Sequence, residues 1–278
     1  MPVDIRDAKY SLFGVKVDAL TIEQAIDEII ERAKDPNSPA TYVVKPYVEF
    51  IERAATDSKT RDLLNGSSLC LADGIALNWA AYYLYGGERS FGRWLKSITE
   101  IVLRPDNMKH QLPDRILGTN LTWPLLQRTT AEGLKLFLIG TPASQTIKQT
   151  AEQLGSKIPG LRVAGYYTGS FPPGVETDLE LILNQTRPDI ILVGMGFPRQ
   201  EQLMARLQEK LTHGVMIGEG GTFDYQQFGG KLPKAPGWVQ KINLEWLWRL
   251  IRQPWRLKRQ LAIPRFMWRV YQEGKRLD

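Results

Sequence analysis

Asp73 follows a short apolar run, Ser68–Ala72, and precedes Gly74 and a segment of helical spacing, Ile75–Leu84. A carboxylate at a strand end can take a proton from a substrate hydroxyl, a role worth about 100- to 10,000-fold in rate. The same position also suits a helix N-cap, since Asp accepts from the free N–H groups of a first turn. The two roles can coexist. A second candidate is Asp189–Gln202, DIILVGMGFPRQEQ. Its apolar run turns through Gly194, Met195, Gly196, Phe197 and Pro198 into a polar helical segment. Glycines let a ligand approach the backbone, and Pro198 fits a first helical turn. The free N–H groups of that helix start suit an anion such as a diphosphate. Gly194-Met195-Gly196 is only part of a dinucleotide fingerprint, so a plain strand-to-helix turn stays open as the alternative.

Gly218–Asp224, GEGGTFD, is a further glycine-rich strand end, readable as a ligand loop or as an ordinary tight loop. Arg249, Arg252, Arg256 and Arg259 step by three, four and three, which places them on one face of a continuous helix. Pro254 interrupts that row, and Trp248 and Trp255 lie beside it. The row reads either as a solvated basic face or as a bidentate clamp on a diphosphate, with indoles resting on lipid. His110 and His213 are the two histidines, and His213 before Gly214 suits a helix C-terminus. There is no HExxH, no Cys/His cluster and no DxD triplet, so zinc chemistry, a Ser-His-Asp triad and a carboxylate-held metal lack support in the sequence. No cofactor and no metal are expected.

Leu12–Val17 and Tyr42–Val44 read as strands, separated by a helix that Thr21 opens in a capping box, TIEQ. Val48–Ala54 and Ser58–Leu64 read as helices. Gly86–Pro113 reads as an insertion bearing one amphipathic helix, with Phe91, Trp94, Leu95, Ile98, Ile101 and Val102 on one face. That face suits packing better than lipid. Strands at Leu134–Ile139, Leu161–Tyr166, Asp189–Val193 and Val215–Ile217 then alternate with helices at Leu121–Thr130, Ser144–Leu154, Glu176–Gln185 and Arg199–Lys210. Such alternation predicts an α/β fold, a Rossmann-like, mostly parallel sheet with helices on both faces. Ligands in these sheets bind beyond the carboxyl ends of the strands.

The chain has 278 residues, 43% of them hydrophobic and 24% charged, as in a globular protein with a real core. The single cysteine, Cys70, excludes an internal disulfide and fits a reducing compartment. No signal-peptide core opens the sequence, and no apolar run is long enough for a membrane-spanning helix. The net charge of +6 is uneven: residues 231–278 hold 12 Lys/Arg against 3 Asp/Glu, and five of the eight tryptophans. A basic, Trp-rich tail suits an anionic membrane surface, with nucleic acid as the rival partner. The expected division is a core at 1–240, with an insertion at about 86–113, and a basic helical appendage at 241–278.

Seven ordered motifs resemble the WecG/TagA/CpsF family of bacterial glycosyltransferases. They are LADGIALNWAA (71–81), DRILGTNL (114–121), LFLIG (136–140), ILVGMGFPRQE (191–201), IGEGGTFDY (217–225), KAPGWVQ (234–240) and LEWLWRLIRQPWRLKRQ (244–260). The resemblance implies inverting, metal-independent transfer of a sugar, typically N-acetylmannosamine, from a UDP-sugar to a lipid-diphosphate-linked sugar. It also implies a peripheral protein on the inner, cytoplasmic face of the cell membrane, and relatives that can self-associate as homo-oligomers. By resemblance, Asp73 is the general base, Gln200 contacts the donor, and Arg249, Arg256 and Arg259 balance the diphosphate leaving group. The wider substrate-binding set is Lys45, Tyr47, Gly74, Arg115, Thr119, Gly140, Gly194, Gly196, Glu201, Gly220, Gly221 and Asp224. One departure stands out. Lys45-Pro46-Tyr47 replaces the family's Thr-x-Asn, which adds a cation and a stacking face beside the expected base. The departure makes a catalytically altered, nucleotide-sugar-binding relative the main alternative, and nucleic-acid binding a distant one.

Overall fold

The computed structural model describes residues 8–141, 146–169, 177–241, 244–254, 257 and 261–277. Six parallel strands form the central sheet: β3 (Thr41–Val44), β4 (Leu69–Cys70), β5 (Lys135–Gly140), β6 (Arg162–Thr168), β7 (Ile190–Gly194) and β8 (Val215–Gly218). Their spatial order is β4-β3-β8-β7-β5-β6. Side chains alternate between two cores, as strand geometry requires. Val44, Ile139, Ile191 and Val193 enter one core; Val43, Leu138, Leu192 and Ile217 enter the other. The runs read as apolar because both faces are covered by helices.

The expected first strand is instead a hairpin. β1 (Lys9–Leu12) and β2 (Val15–Asp18) pair antiparallel around Phe13-Gly14. Both turn residues have positive φ (51° and 83°), the twist a two-residue hairpin needs. Helix α1 (Ile22–Lys34) opens in the predicted capping box: Thr21 accepts from the Gln24 N–H, and the Gln24 side chain accepts from the Thr21 N–H. α2 (Val48–Ala54) and α3 (Ser58–Asn65) link β3 to β4.

α4 (Ile75–Tyr85) follows β4, and α5 (Phe91–Leu103) occupies the insertion. α5 packs inward, as expected. The Trp79 indole donates to Ser97 Oγ at 2.8 Å, and the Tyr82 hydroxyl donates to Glu100 Oε2 at 3.0 Å. α6 (Gly118–Ala131) starts three residues before the expected Leu121. α7 (Thr146–Lys157), α8 (Thr177–Thr186) and α9 (Arg199–Gln208) complete the alternation.

The C-terminal region contains α10 (Gly237–Lys241), α11 (Glu245–Arg252) and α12 (Ala262–Leu277). α12 buries Ala262, Phe266 and Val270 at four-residue steps, a core-facing stripe, in the same cluster as Trp79 and Tyr83 of α4. α11 buries none of its residues. Among the described residues, no helix is long and apolar enough to cross a membrane.

Candidate functional site

Four neighbouring strands, β4-β3-β8-β7, end at one edge and release Asp73, Lys45, Glu219 and the Gly196–Gln200 turn respectively. All four line a cavity of about 420 Å³ beyond the carboxyl ends of the strands. α4 cannot be capped by Asp73 as the cap reading required. Gly74 holds the N-cap at φ 101°, a conformation open to glycine, and no side chain caps the helix. The Asp73 carboxyl is therefore left half-buried at the cavity, and its backbone N–H donates to Pro46 O at 3.1 Å. Burial pushes its pKa up to about 6; Lys45, Arg249 and Arg115 oppose that shift, and Glu219 adds to it. A carboxylate poised there is suited to take a proton near neutral pH.

Lys45 is held by a buried partner. Its Nζ lies 2.9 Å from Glu219 Oε2, with both side chains almost wholly out of solvent. The Thr122 hydroxyl donates to the same carboxylate at 2.8 and 2.9 Å. A lysine has three donors, so its ammonium can still meet a ligand in the cavity it lines. Tyr47 lies against Gly74: a Cβ on that glycine would stand 3.3 Å from the ring.

The Gln200 side chain ties several protein groups together at the cavity wall. Its Oε1 accepts from the N–H groups of Gly196 (3.0 Å), Gly220 (2.9 Å) and Met195 (3.4 Å). Its Nε2 donates to Glu201 Oε1 at 2.8 Å. One amide thus ties the turn after β7 to the turn after β8. Gly196 and Gly220 have positive φ and nothing near the position of a Cβ, so their backbone is open to a ligand.

The third wall is cationic. Arg115, ahead of α6, makes a bidentate pair with Glu245 of α11 (2.6 and 3.2 Å). Burial raises the Glu245 pKa, and Arg115 opposes the rise. Arg249 of α11 donates to Gly221 O at 3.1 Å, pairs with Asp224 at 3.3 Å and lies over the Tyr225 ring. Thr119, Gly221 and Arg249 line the cavity.

Four expected site residues sit elsewhere. Gly140 ends β5, and Gly194 is covered by the Phe223 ring. Glu201 is buried behind Gln200, with its pKa pushed up to about 7 by burial. Asp224 is outside the cavity and reaches it only through Arg249. Arg256 and Arg259 lie outside the described residues. His213 pairs with Asp189 at 3.0 Å, just before β7 and thus at the opposite end of the sheet.

Glu219 and Glu245 were not among the expected site residues. A glutamate between glycines at a strand end was a signal for the first. Nothing in the spacing pointed to the second, because its partner is 130 residues away. Among the described residues, no cluster of three or more His, Cys, Asp or Glu residues could hold a metal ion.

An N-acetylglucosaminyldiphosphoundecaprenol N-acetyl-beta-D-mannosaminyltransferase of Bacillus subtilis (strain 168) is 30% identical over 235 residues, covering 84% of this chain and 78% of that protein. A protein of the same name from Staphylococcus aureus (strain MW2) is 26% identical over 270 residues, covering 97% and 95%. The profile described as the glycosyl transferase WecG/TagA/CpsF family matches residues 10–93 and 100–278, and the chain belongs to that family.

Proposed function

We propose that this glycosyltransferase moves N-acetylmannosamine or a related hexose from a UDP-sugar to a lipid-diphosphate-linked sugar, with inversion and without a metal. The observation that supports it most is the half-buried Asp73, its pKa raised to about 6, ringed by Lys45, Arg115 and Arg249 at the strand ends. Asp73 takes the proton of the acceptor hydroxyl. The freed oxygen bonds to the donor's anomeric carbon, and the bond from that carbon to the diphosphate breaks on the opposite face. UDP departs with the bonding electron pair. Arg249 stabilises the growing negative charge, and the open backbone at Gly196 and Gly220 leaves room for the diphosphate beside it. Lys45, locked on Glu219, fixes the electrostatic setting of the base. The named acceptor of the relatives, a diphosphoundecaprenol-linked N-acetylglucosamine, supports the acceptor class.

The same reading places the protein on the inner membrane face. Exposed Trp238, Trp246, Ile251 and Trp268, set among the basic residues of the C-terminal region, support docking on an anionic bilayer. The strand ends hold the chemistry, and α11 closes over it and meets lipid.

The test supplies UDP-sugars with a GlcNAc-diphosphate-lipid and measures UDP release with and without a chelator. Asp73→Asn is expected to lose about 100- to 10,000-fold in turnover. Equal rates for wild type and Asp73→Asn would remove Asp73 from the mechanism. UDP binding without turnover across a donor panel would favour a catalytically altered relative.

A further inference from the structure

The charged lining of the cavity comes from the strand ends and α11. A second, apolar lining comes from α4, α5 and α12, and the reaction above makes no use of it. Ile98, Ile101 and Val102 of α5 line the cavity together with Ile75 and Trp79 of α4 and Met267 of α12. Ile98 and Ile101 are only partly buried where α5 packs on the core, and hydrogen bonds help to fix the helix. Besides the Trp79–Ser97 and Tyr82–Glu100 bonds, the Trp94 indole donates to Met267 O at 3.0 Å. Val102 is 46% exposed, although it belongs to the helix's apolar face. On the same helix Phe91, Leu95 and Leu103 are exposed, Leu103 at 76%. Within the span of the family profile, residues 94–99 in the middle of α5 are unmatched, Ile98 among them.

We propose that this apolar end holds the first isoprenoid units of a polyprenyl diphosphate acceptor, and that α5 is this chain's own determinant for that lipid. The inference rests on the proposed lipid-linked acceptor. The cavity is continuous, so an acceptor whose sugar hydroxyl meets Asp73 has its hydrocarbon chain starting inside the same space. Burying that chain against α4, α5 and α12 removes apolar surface of both partners from water. The exposed apolar residues of α5 then lead the chain toward the bilayer. An isoprenoid fits because the relatives that share the site are named for a diphosphoundecaprenol acceptor.

Two measurements on the full chain test this. Tryptophan fluorescence reports binding of farnesyl diphosphate and of inorganic diphosphate. Wild type is expected to bind farnesyl diphosphate at least tenfold more tightly, about 1.4 kcal/mol. Ile98→Ser/Ile101→Ser is expected to bring the two affinities within about twofold, and the single Val102→Ser, at a more exposed position, to weaken the preference with an unchanged melting temperature. Equal affinities in wild type would overturn the proposal. The second measurement compares sugar transfer to GlcNAc-diphosphate bearing a polyprenyl tail or a two-carbon tail. The variants are expected to raise KM about tenfold for the long-tailed acceptor alone. No change, or an equal rise for both acceptors, would overturn the proposal. Wild type that prefers farnesyl diphosphate yet transfers sugar to neither acceptor would leave the groove standing and sink the transferase reading.

Discussion

α11 and α12 lie in one basic, tryptophan-rich region, yet they attach to the protein by different physics. α12 inserts Phe266 and Val270, both at 0% exposure, into the core shared with α4, and its Arg269 reaches Glu52 of α2 at 3.1 Å. α11 buries nothing; Arg115–Glu245 and Arg249–Asp224 hold it over the cavity. A charge-rich tail in a sequence is therefore not one unit. Its last helix is a structural staple. The helix before it is a cover tied by ion pairs, with Trp246 and Trp248 lining the cavity and Leu247 and Ile251 exposed.

The comparison breaks most visibly at Phe266. Phe266→Ala is expected to cost about 3–5 kcal/mol, read as a large drop in the thermal unfolding midpoint. A small drop would mean that α12 is peripheral after all. For the same reason, cutting the chain near Lys241 is a poor test of membrane docking, because it removes a piece of the core. Leu247→Ser/Ile251→Ser, at exposed positions of α11 outside the cavity, is the cleaner probe. It is expected to weaken binding to anionic liposomes by tenfold or more at an unchanged melting temperature, since burying each such side chain in lipid contributes about 1.5–3 kcal/mol.

Arg249→Gln sharpens the contrast in another way. Arg249 holds the Asp73 pKa down against burial. Asp73 must be unprotonated to act, so kcat/KM falls below an acid limb near pH 6 in wild type. Removing the cation raises the Asp73 pKa, moves the limb to higher pH and lowers turnover at pH 6.5. Arg269→Gln on α12 is expected to leave the limb in place. The smallest effect is the Arg115–Glu245 coupling. A double-mutant cycle on donor affinity is expected to give about 0.5–3 kcal/mol, less in high salt.

The strands and helices were legible because each obeys a local period, and α1 because its cap lies within four residues. The hairpin at Phe13-Gly14 was missed because a phenylalanine at positive φ leaves no pattern; its ring instead packs edge-on against Phe266, far along the chain. The start of α6 was misplaced because Gly118 belongs to the helix for a tertiary reason: a side chain there would run into Thr222. Asp73 was legible as a candidate, and its freedom from capping was not, since that depends on the φ of Gly74. Lys45 was visible as a departure from the family. Its partner Glu219 could be found only in three dimensions, because the two are brought together by pairing of β3 with β8.

The three N–H groups collected by Gln200 Oε1 bear on engineering. The spacing between two loops is set by the reach of one side chain, so position 200 acts as a gauge for the width of the pocket. A search for new donor sugars would do best to leave Gln200 untouched and vary other residues that line the cavity, Tyr47 and Thr119 among them. Shortening the gauge by one methylene, as in Gln200→Asn, would detune both loops together and blur selection for any sugar at all.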